Sequence, residues 1–290
     1  MDAFDTDERC RTILEELRWP DGPRCPRCES AKLSRIYDRD QFDCDSCGYQ
    51  FSVKAGTIFH DSHLPLRKWL VATFLMCESK KGISANQMKR MLGVSYKTAW
   101  YLCHRIRAAM GEASGQAALR GIVEADETWV GGKRRHVGHG YVENKTQVLG
   151  AIERGGEIRL SVYEKGARVD RAALHGFIKA VVADEAPAIY TDENLGYVGI
   201  GDEDTIHAAV NHAVEEWVRG EVHTNSAESV WSLLKRSIVG SYHQLSTKHL
   251  DAYLGELEWR FNNRENPYLF RDTLTRLLAA DALTYRTLTA

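Results

Sequence analysis

Residues 121–126 have the sequence Gly-Ile-Val-Glu-Ala-Asp, a short apolar run that ends in a carboxylate. A second run of this kind, Ala188-Ile-Tyr-Thr191, is followed directly by Asp192. Short β-branched and aromatic runs bounded by polar residues predict buried strands, and ligands collect at strand ends in α/β sheets. We therefore expect Asp126 and Asp192 to lie at the ends of neighbouring strands in one sheet.

A third acid, Glu228, opens a helix-like segment, Ser226–Arg236. Lys235 follows it by about two helical turns, so the two side chains share a helix face. Three carboxylates from separate elements repel one another unless hard divalent cations lie between them, as in two-metal phosphoryl-transfer sites. Glu228 also has a simpler interpretation, because Asn225 and Glu228 have the spacing of an N-cap and its capping-box partner.

The surrounding pattern predicts an α/β fold with a mixed sheet. Strand-like runs cover residues 121–125, 147–153, 158–163 and 188–191. A helix is expected at 170–183, between the third and fourth runs. Three consecutive strands, a crossover helix and a further strand are the order expected of a ribonuclease H-like core. Residues 205–210 fit a fifth short strand, but residues 207–218 fit a helix equally well, and the sequence leaves that choice open.

Four cysteines near the start of the chain form two knuckles, Cys25-x-x-Cys28 and Cys44-x-x-Cys47, with fifteen residues between them. This spacing is typical of a closed four-cysteine zinc site, which is structural because no coordination position remains for a substrate. A pair of disulfides is disfavoured, because no signal peptide precedes the cysteines and cytosolic thiols stay reduced. We therefore predict structural Zn²⁺ in a cytoplasmic protein.

Between the cysteines and the first acid, residues 82–107 predict a helix, a glycine turn and a second helix. Ser84 and Ser95 can cap the two helices, and Gly93 fits the turn. Residues 64–110 contain nine Lys or Arg and one Asp or Glu, a charge of +8 in a chain of net charge −2. Because the other residues sum to −10, this segregation indicates phosphate binding by one segment of the chain.

The second helix of this pair is expected to enter the major groove of DNA with its N-terminal end. The residues at that end, Tyr96, Lys97 and Thr98, are predicted to reach base edges. Further basic contacts with DNA are expected from Arg105, Arg236, Lys133, Arg134 and Arg135. The last three residues fit a solvated basic turn equally well.

The 290-residue chain is long enough for two or three domains, and 43% hydrophobic with 27% charged residues is a globular composition. No apolar run approaches the length of a membrane span, so we expect no membrane partner. We predict four segments. They are an N-terminal helix and zinc ribbon over 1–62, a helix-turn-helix segment over 63–112, a catalytic core over 119–275 and a tail over 276–290.

Several strings resemble those of the zinc-ribbon branch of insertion-sequence transposases, which are ISXO-like and related to the Merlin transposons. The matching strings are Val123-Glu-Ala-Asp126-Glu-Thr-Trp-Val-Gly-Gly132, Thr191-Asp192-Glu193, His223-Thr-Asn-Ser-Ala-Glu-Ser-Val-Trp-Ser-Leu-Leu-Lys-Arg236 and Glu256-Leu-Glu-Trp-Arg-Phe-Asn-Asn-Arg264. The resemblance covers about residues 8–275. It implies a DNA transposase with a ribonuclease H-like core and an Asp–Asp–Glu triad.

The resemblance also implies roles for individual residues. Asp126 would bridge two Mg²⁺ or Mn²⁺ ions, with Asp192 and Glu228 each holding one, and Lys235 would hold a backbone phosphate. Members of this family have Glu or Asn as the third ligand. We favour Glu228 over Asn225, because an anionic carboxylate binds a hard cation better. The implied partners are the element's terminal inverted repeats and target DNA, bound by a homodimer or larger synaptic complex at the nucleoid.

Two other classes of function remain open from the sequence. A zinc-ribbon and helix-turn-helix regulator would bind DNA without catalysis, which requires the three acids to be coincidental. A ribonuclease H-like nuclease would cleave hybrids or junctions without strand transfer.

Overall fold

The structure, a computed structural model, describes residues 4–112, 117–132, 145–164, 166–211 and 216–290. Its contacts divide the chain into two compact units. The first contains Met1–Ala113 together with Asn266–Ala290, and the second contains Ser114–Glu265.

The first unit opens with a helix and a small sheet. Its elements are α1 (Asp7–Arg18), β1 (Leu33–Ile36), β2 (Gln41–Cys44) and β3 (Gln50–Phe51). The three strands are antiparallel, and the rings of Trp19, Phe42 and Phe51 contact one another beside them. So few apolar side chains cannot stabilise a fold alone, which agrees with a metal-dependent ribbon.

Three helices follow: α2 (Leu66–Glu78), α3 (Ala85–Leu92) and α4 (Tyr96–Glu112). Ser84 Oγ accepts the N–H of Gln87, and Ser95 Oγ accepts the N–H of Thr98, each at 3.1 Å. The predicted caps are therefore confirmed. Gly93 between the helices has a φ of 60°, a left-handed conformation that glycine adopts without steric strain.

The second unit is built on a five-stranded mixed sheet. Its first elements are β4 (Val123–Val130), β5 (Thr146–Glu153), β6 (Ile158–Val162), α5 (Arg171–Val181), β7 (Ala188–Thr191) and β8 (Ile206–Ala209). The strand order is β6-β5-β4-β7-β8, in which β5 is antiparallel to both neighbours and β7 is parallel to β4 and β8. This order confirms the predicted ribonuclease H-like fold, and β8 settles the choice at 205–210 as a strand.

Strand β4 extends further than the sequence predicted. The apolar run ends at Ala125, but pairing with β5 continues to Val130. Strand β7, in contrast, pairs with β4 only at Val123 and Glu124. Asp126 therefore lies inside β4, just beyond the last residue that β7 pairs with, and the expected position at the end of its own strand is wrong.

The sheet is buried on both faces. Val123 and Ala125 belong to the core that includes Leu174 and Ile178 of α5. The opposite face is covered by α6 (Asn225–Ser237) and α7 (Leu250–Asn262). Its core includes Val148, Ile152, Val230, Trp231, Leu234 and Leu254. Because side chains alternate along a strand, residues 124 and 126 point to the face that α6 covers.

The last helices, α8 (Leu269–Ala279) and α9 (Tyr285–Thr289), belong to the first unit. Helix α8 packs on α1, α2 and α4, and its Leu274 and Leu277 are buried. This grouping differs from the expected core over 119–275 and tail over 276–290, because the apolar face of α8 is covered by the N-terminal helices. Among the described residues, we find no helix with the length and apolar character required to cross a bilayer.

Candidate functional site

The carboxylates at the end of β7 form a cluster. Oxygens of Asp126, Glu127 and Asp192 all lie within 4.8 Å of one another. Glu228 is not in this group of three, but it lines an open cavity of about 600 Å³ together with Asp126 and Glu127. The fold therefore gathers the predicted acids in one region, and it adds Glu127, which the sequence analysis did not select.

Glu127 reaches the cluster because β7 is short. Its side chain leaves β4 on the face opposite Asp126, as neighbours in a strand do. Since β7 ends at Thr191, no strand of the described residues pairs with this part of β4 on that side, and Glu127 can approach Asp192. Asn194 Nδ2 donates to Glu127 Oε1 at 2.7 Å, and the N–H of Asn194 donates to Asp192 Oδ1 at 3.0 Å. The adjacency of Glu127 to Asp126 was its one signal in the sequence.

Crowding perturbs the titration of these acids. Burial, and next the charge of Asp192, raises the pKa of Asp126 to about 6. Burial, and next the charges of Asp192 and Asp126, raises the pKa of Glu127 to about 7. Asp126 also accepts the N–H of Glu127 at 2.7 Å, which opposes its rise. Ionised carboxylates at this spacing are unfavourable unless a cation neutralises them, so the donor set fits a hard divalent ion.

Trp231 ties helix α6 to the cluster. Its Nε1 donates to Asp126 Oδ2 at 2.8 Å, and the residue is only 4% exposed. The ring packs on Gly150, which lies opposite Asp126 in β5, and a Cβ at that glycine would stand 2.5 Å from the indole. The indole can reach Asp126 because residue 150 has no side chain. Patterning predicts a buried aromatic residue on α6 but not this hydrogen bond.

The start of α6 is capped differently from the sequence interpretation. Asn225 is the first residue of the helix, and Thr224 occupies the N-cap position without a side-chain cap hydrogen bond. Glu124 of β4 accepts the N–H groups of Ser226 and Ala227, at 2.7 and 3.1 Å. The expectation that Asn225 caps this helix is therefore wrong, because an acceptor from the sheet takes that role.

Basic side chains lie beside the acids. Lys235 and Arg236 of α6 are exposed and line the same cavity as Glu228. A cationic rim next to an acidic cluster suits a polyanion whose phosphate is presented to bound cations. The predicted contacts of Lys133, Arg134 and Arg135 lie outside the described residues.

In the first unit, the four predicted zinc ligands converge. The Sγ atoms of Cys25, Cys28, Cys44 and Cys47 all lie within 4.8 Å of one another, with Cys25–Cys47 at 3.7 Å and Cys28–Cys44 at 3.5 Å. A tetrahedron with Zn–S bonds of about 2.3 Å has sulfur–sulfur edges of about 3.8 Å, so the arrangement fits zinc. Burial raises the pKa of Cys25, but backbone N–H donors outweigh it and lower the pKa to about 7.

The N-terminal end of α4 is accessible, as a base-reading helix requires. Tyr96 is 49% exposed, Lys97 is exposed and Thr98 is half-buried. The ammonium of Lys97 lies 4.4 Å from the ring centroid of Tyr285 in α9. The C-terminal helix therefore contacts one of the residues predicted to meet DNA.

Arg105 of α4 requires a correction. It is only 3% exposed, its Nη2 donates to the backbone oxygen of His60 at 2.6 Å, and its guanidinium lies 4.9 Å from the ring centroid of Trp69. The structure does not support the expected DNA contact, because this side chain is buried and packs α4 against other residues of the first unit. Charge counting alone cannot separate a buried Arg from an exposed one.

Comparisons with known proteins agree with these features. Residues 118–262 match the family described as the ISXO2-like transposase domain, and residues 5–50 match the transposase zinc-ribbon domain. A protein in transposable element ISH50 of Halobacterium salinarum is 29% identical over 280 residues, covering 89% of this chain and 92% of that protein. A transposase-like protein of Haemophilus influenzae is 28% identical over 97 residues, covering 33% of this chain and 76% of that protein.

Solved structures give weaker similarity. The Mos1 strand transfer complex has a TM-score of 0.33 at 10% identity, over 74% of this chain and 78% of that one. The mariner Mos1 paired end complex with Mg has a TM-score of 0.26 at 13% identity, over 94% and 95%. The fold assignment therefore rests on the strand order itself. The match to the ISXO2-like domain spans half of the sequence, and the chain belongs to this family of zinc-ribbon transposases.

Proposed function

We propose that this DNA transposase is an active enzyme, which cleaves DNA at the ends of an insertion element and joins the freed 3′-OH to target DNA. The observation that carries the proposal is the convergence of Asp126, Glu127 and Asp192 within 4.8 Å, beside a cavity that Glu228 also lines. An acidic cluster with pKa values raised to about 6 and 7 is unfavourable without cations. Cation-dependent phosphoryl transfer gives such a cluster a function in a transposase fold.

Asp126, Asp192 and Glu228 would hold two Mg²⁺ or Mn²⁺ ions, since carboxylate oxygens suit both. When bound, such ions activate the attacking oxygen and stabilise the leaving 3′ oxygen. Glu228 is favoured over Asn225 as the third ligand because it carries charge. Asn194 links Glu127 to Asp192 by donating a hydrogen bond to each carboxylate, and Glu127 adds negative charge to the site.

Lys235 is assigned to the DNA backbone. It is exposed on α6, about two turns after Glu228, and it lines the same cavity. An ammonium group acts as a point charge on a phosphate and needs no fixed geometry. Arg236 beside it would contact the same strand.

Binding of the element ends is assigned to the helix-turn-helix of the first unit, over 63–112. The exposed N-terminal end of α4 would read bases through Tyr96, Lys97 and Thr98, and the basic surface would contact phosphates. The four-cysteine ribbon would hold a structural Zn²⁺. Lys133, Arg134 and Arg135 remain proposed phosphate contacts. A homodimer or larger synaptic assembly at the nucleoid would bring two ends together.

The test uses duplexes that carry the inverted repeats flanking the coding region, together with a supercoiled target plasmid. With Mg²⁺ or Mn²⁺, we expect cleavage at the repeat and a joined product, both absent with chelator and in Asp126→Asn. Glu203→Gln serves as the matched control, because Glu203 is an exposed acid in the connection before β8. A protein that binds the repeat but never cuts it is a regulator. One that cuts but joins no pre-cleaved ends is a nuclease.

A further inference from the structure

We propose that Glu124 is a positioning residue that sets helix α6, and with it Glu228 and Lys235, relative to Asp126. The inference rests on the proposed function, because it assumes that these residues act together. Glu124 precedes Asp126 by two residues and shares its face of β4. It is fully buried, with 0% exposure, where a carboxylate is unfavourable unless its partners compensate the lost hydration.

The carboxylate of Glu124 accepts hydrogen bonds from donors in two other parts of the chain. Its Oε2 accepts the N–H groups of Ser226 and Ala227 at 2.7 and 3.1 Å. Its Oε1 accepts Ser226 Oγ at 3.0 Å and Arg154 Nε at 2.7 Å. Both oxygens are thus occupied, and Glu124 has no free position for a cation. Its effect on the site is therefore indirect, and α6 is the element whose backbone it binds directly.

Arg154 supplies the compensating charge and is itself held in place. Its Nη2 donates to the backbone oxygen of His223 at 3.1 Å and lies 2.9 Å from the Nδ1 of that residue. Its guanidinium also lies 4.9 Å from the ring centroid of Tyr190 in β7. His223 Nδ1 is 3.2 Å from Glu124 Oε1. One charged cluster therefore links β4, β7, the turn after β5 and the segment that leads into α6.

Because Glu124 lies on β4 and not on α6, its hydrogen bonds to the start of α6 affect where that helix lies. The first N–H groups of a helix have no partner inside the helix, so an outside acceptor stabilises its start. An acceptor on the helix's own N-cap residue stabilises its conformation only. An acceptor on β4 also fixes where the helix lies, and Ser226 and Ala227 directly precede Glu228. The hydrogen bond between Trp231 and Asp126 is the second tie, one turn further along.

Two conservative variants of Glu124 separate the effect of its side-chain length from the effect of its charge. Glu124→Asp keeps the charge opposite Arg154 but withdraws the carboxylate from α6 by one methylene. Glu124→Gln keeps the reach of one acceptor oxygen but removes the charge. Glu153→Asp is the matched control, because Glu153 of β5 accepts the N–H of Gly121 at 3.0 Å and, within the described part of the chain, makes no hydrogen bond with α6.

Metal-dependent cleavage, corrected for the folded fraction, is the first measurement. For Glu124→Asp we expect about a tenfold higher Mn²⁺ concentration for half-maximal cleavage and a maximal rate about 10- to 100-fold lower, since displacements of about 1 Å have effects of this size. Binding of the repeat duplex should stay within about twofold, because the helix-turn-helix is untouched. Glu124→Gln should recover part of the loss, and Glu153→Asp should leave the Mn²⁺ requirement unchanged.

Hydrogen exchange provides a readout that does not depend on activity. The amides of Ser226 and Ala227 should lose protection in Glu124→Asp and keep it in Glu153→Asp. If Glu124→Asp has wild-type protection at these amides, or a wild-type Mn²⁺ requirement in an active background, the positioning role is overturned. If the wild-type protein shows no cation-dependent cleavage, the proposed catalytic function is wrong. The role of Glu124 in positioning α6 is then tested by hydrogen exchange alone, and unchanged exchange in Glu124→Asp would overturn it.

Discussion

The two units of this protein differ in how they bring candidate metal ligands together: the cysteines are close in sequence, whereas the acids come from distant elements. In the zinc ribbon, the four cysteines fall within residues 25–47 and sit on two local turns. In the second unit, the acids extend from Asp126 to Glu228 and come from a strand, a strand end and a helix. The ribbon has too small a core to fold without its metal. The acidic site is assembled by a complete hydrophobic core, so in that unit the fold makes the site before any metal binds.

The comparison predicts its largest effect for loss of a zinc ligand. Cys44→Ser should remove Zn²⁺ and unfold the ribbon, because structural zinc contributes on the order of 10 kcal/mol to the folding of small zinc domains. Zinc content by atomic absorption and proteolysis within residues 20–60 measure the loss. The second unit should keep its own protection from proteolysis. A ribbon that stays folded without zinc would show that its core suffices.

Loss of a catalytic ligand should have the opposite effect on stability. Asp126→Asn should reduce cleavage on the order of 10³-fold or more, because the proposed cations would lose one of their carboxylate ligands. In chelator at pH 8, the same variant should be more stable than wild type by about 1–3 kcal/mol, since a buried charge with a raised pKa is removed. Chemical denaturation measures this change. A destabilised variant would contradict the view that this site is assembled at the expense of stability.

The third acidic position can be resolved by two alanine variants one helical turn apart. Glu228→Ala should reduce cleavage on the order of 10²-fold or more, as expected for loss of a metal ligand. Asn225→Ala should retain activity within about fivefold, because Asn225 is exposed and does not cap α6. Cleavage assays over a range of Mn²⁺ concentrations compare them. The reverse ranking would assign the third ligand to Asn225.

The two sites should respond to pH with opposite signs. Folding raises the pKa of Asp126 to about 6 and of Glu127 to about 7, so the folded state favours their neutral forms. Without divalent cations, the second unit should therefore lose on the order of 5 kcal/mol as pH rises from about 4 to 7, about 2–3 kcal/mol for each carboxyl group, and saturating Mg²⁺ should reduce this loss. The ribbon should instead weaken as pH falls, because protons displace zinc from thiolates. Hydrogen exchange in β4–β5 and in β1–β3 reports the two slopes.

The smallest effect concerns the helix-turn-helix. Lys97→Ala should weaken binding to the terminal repeat by about tenfold and reduce discrimination against unrelated DNA, as expected for a base contact worth about 1–3 kcal/mol. Lys68→Ala on α2 should weaken both alike and lower the salt dependence by about one ion. Fluorescence anisotropy at several salt concentrations measures both. Equal loss of specific and non-specific binding in Lys97→Ala would make this lysine a phosphate contact.

Features that depend on residues close together in the chain could be predicted from the sequence. The cysteine spacing identified the zinc ribbon, and the serines before α3 and α4 marked both helix starts, since a cap involves residues three positions apart. Apolar runs located the strands to within a few residues, with β4 the exception. Its full length depends on pairing with β5, which lies more than a dozen residues away in the chain.

Contacts between side chains far apart in the chain became evident only from the folded structure. Glu127 joins the acids because β7 ends at Thr191, and Glu124 caps α6 because β4 passes beneath its first turn. Arg105 is buried because α4 packs beside Trp69. These outcomes come from pairing register and helix packing between residues far apart in sequence. Local propensity contains no record of such contacts, since the energy of a long-range contact depends on both partners and on everything that holds them together.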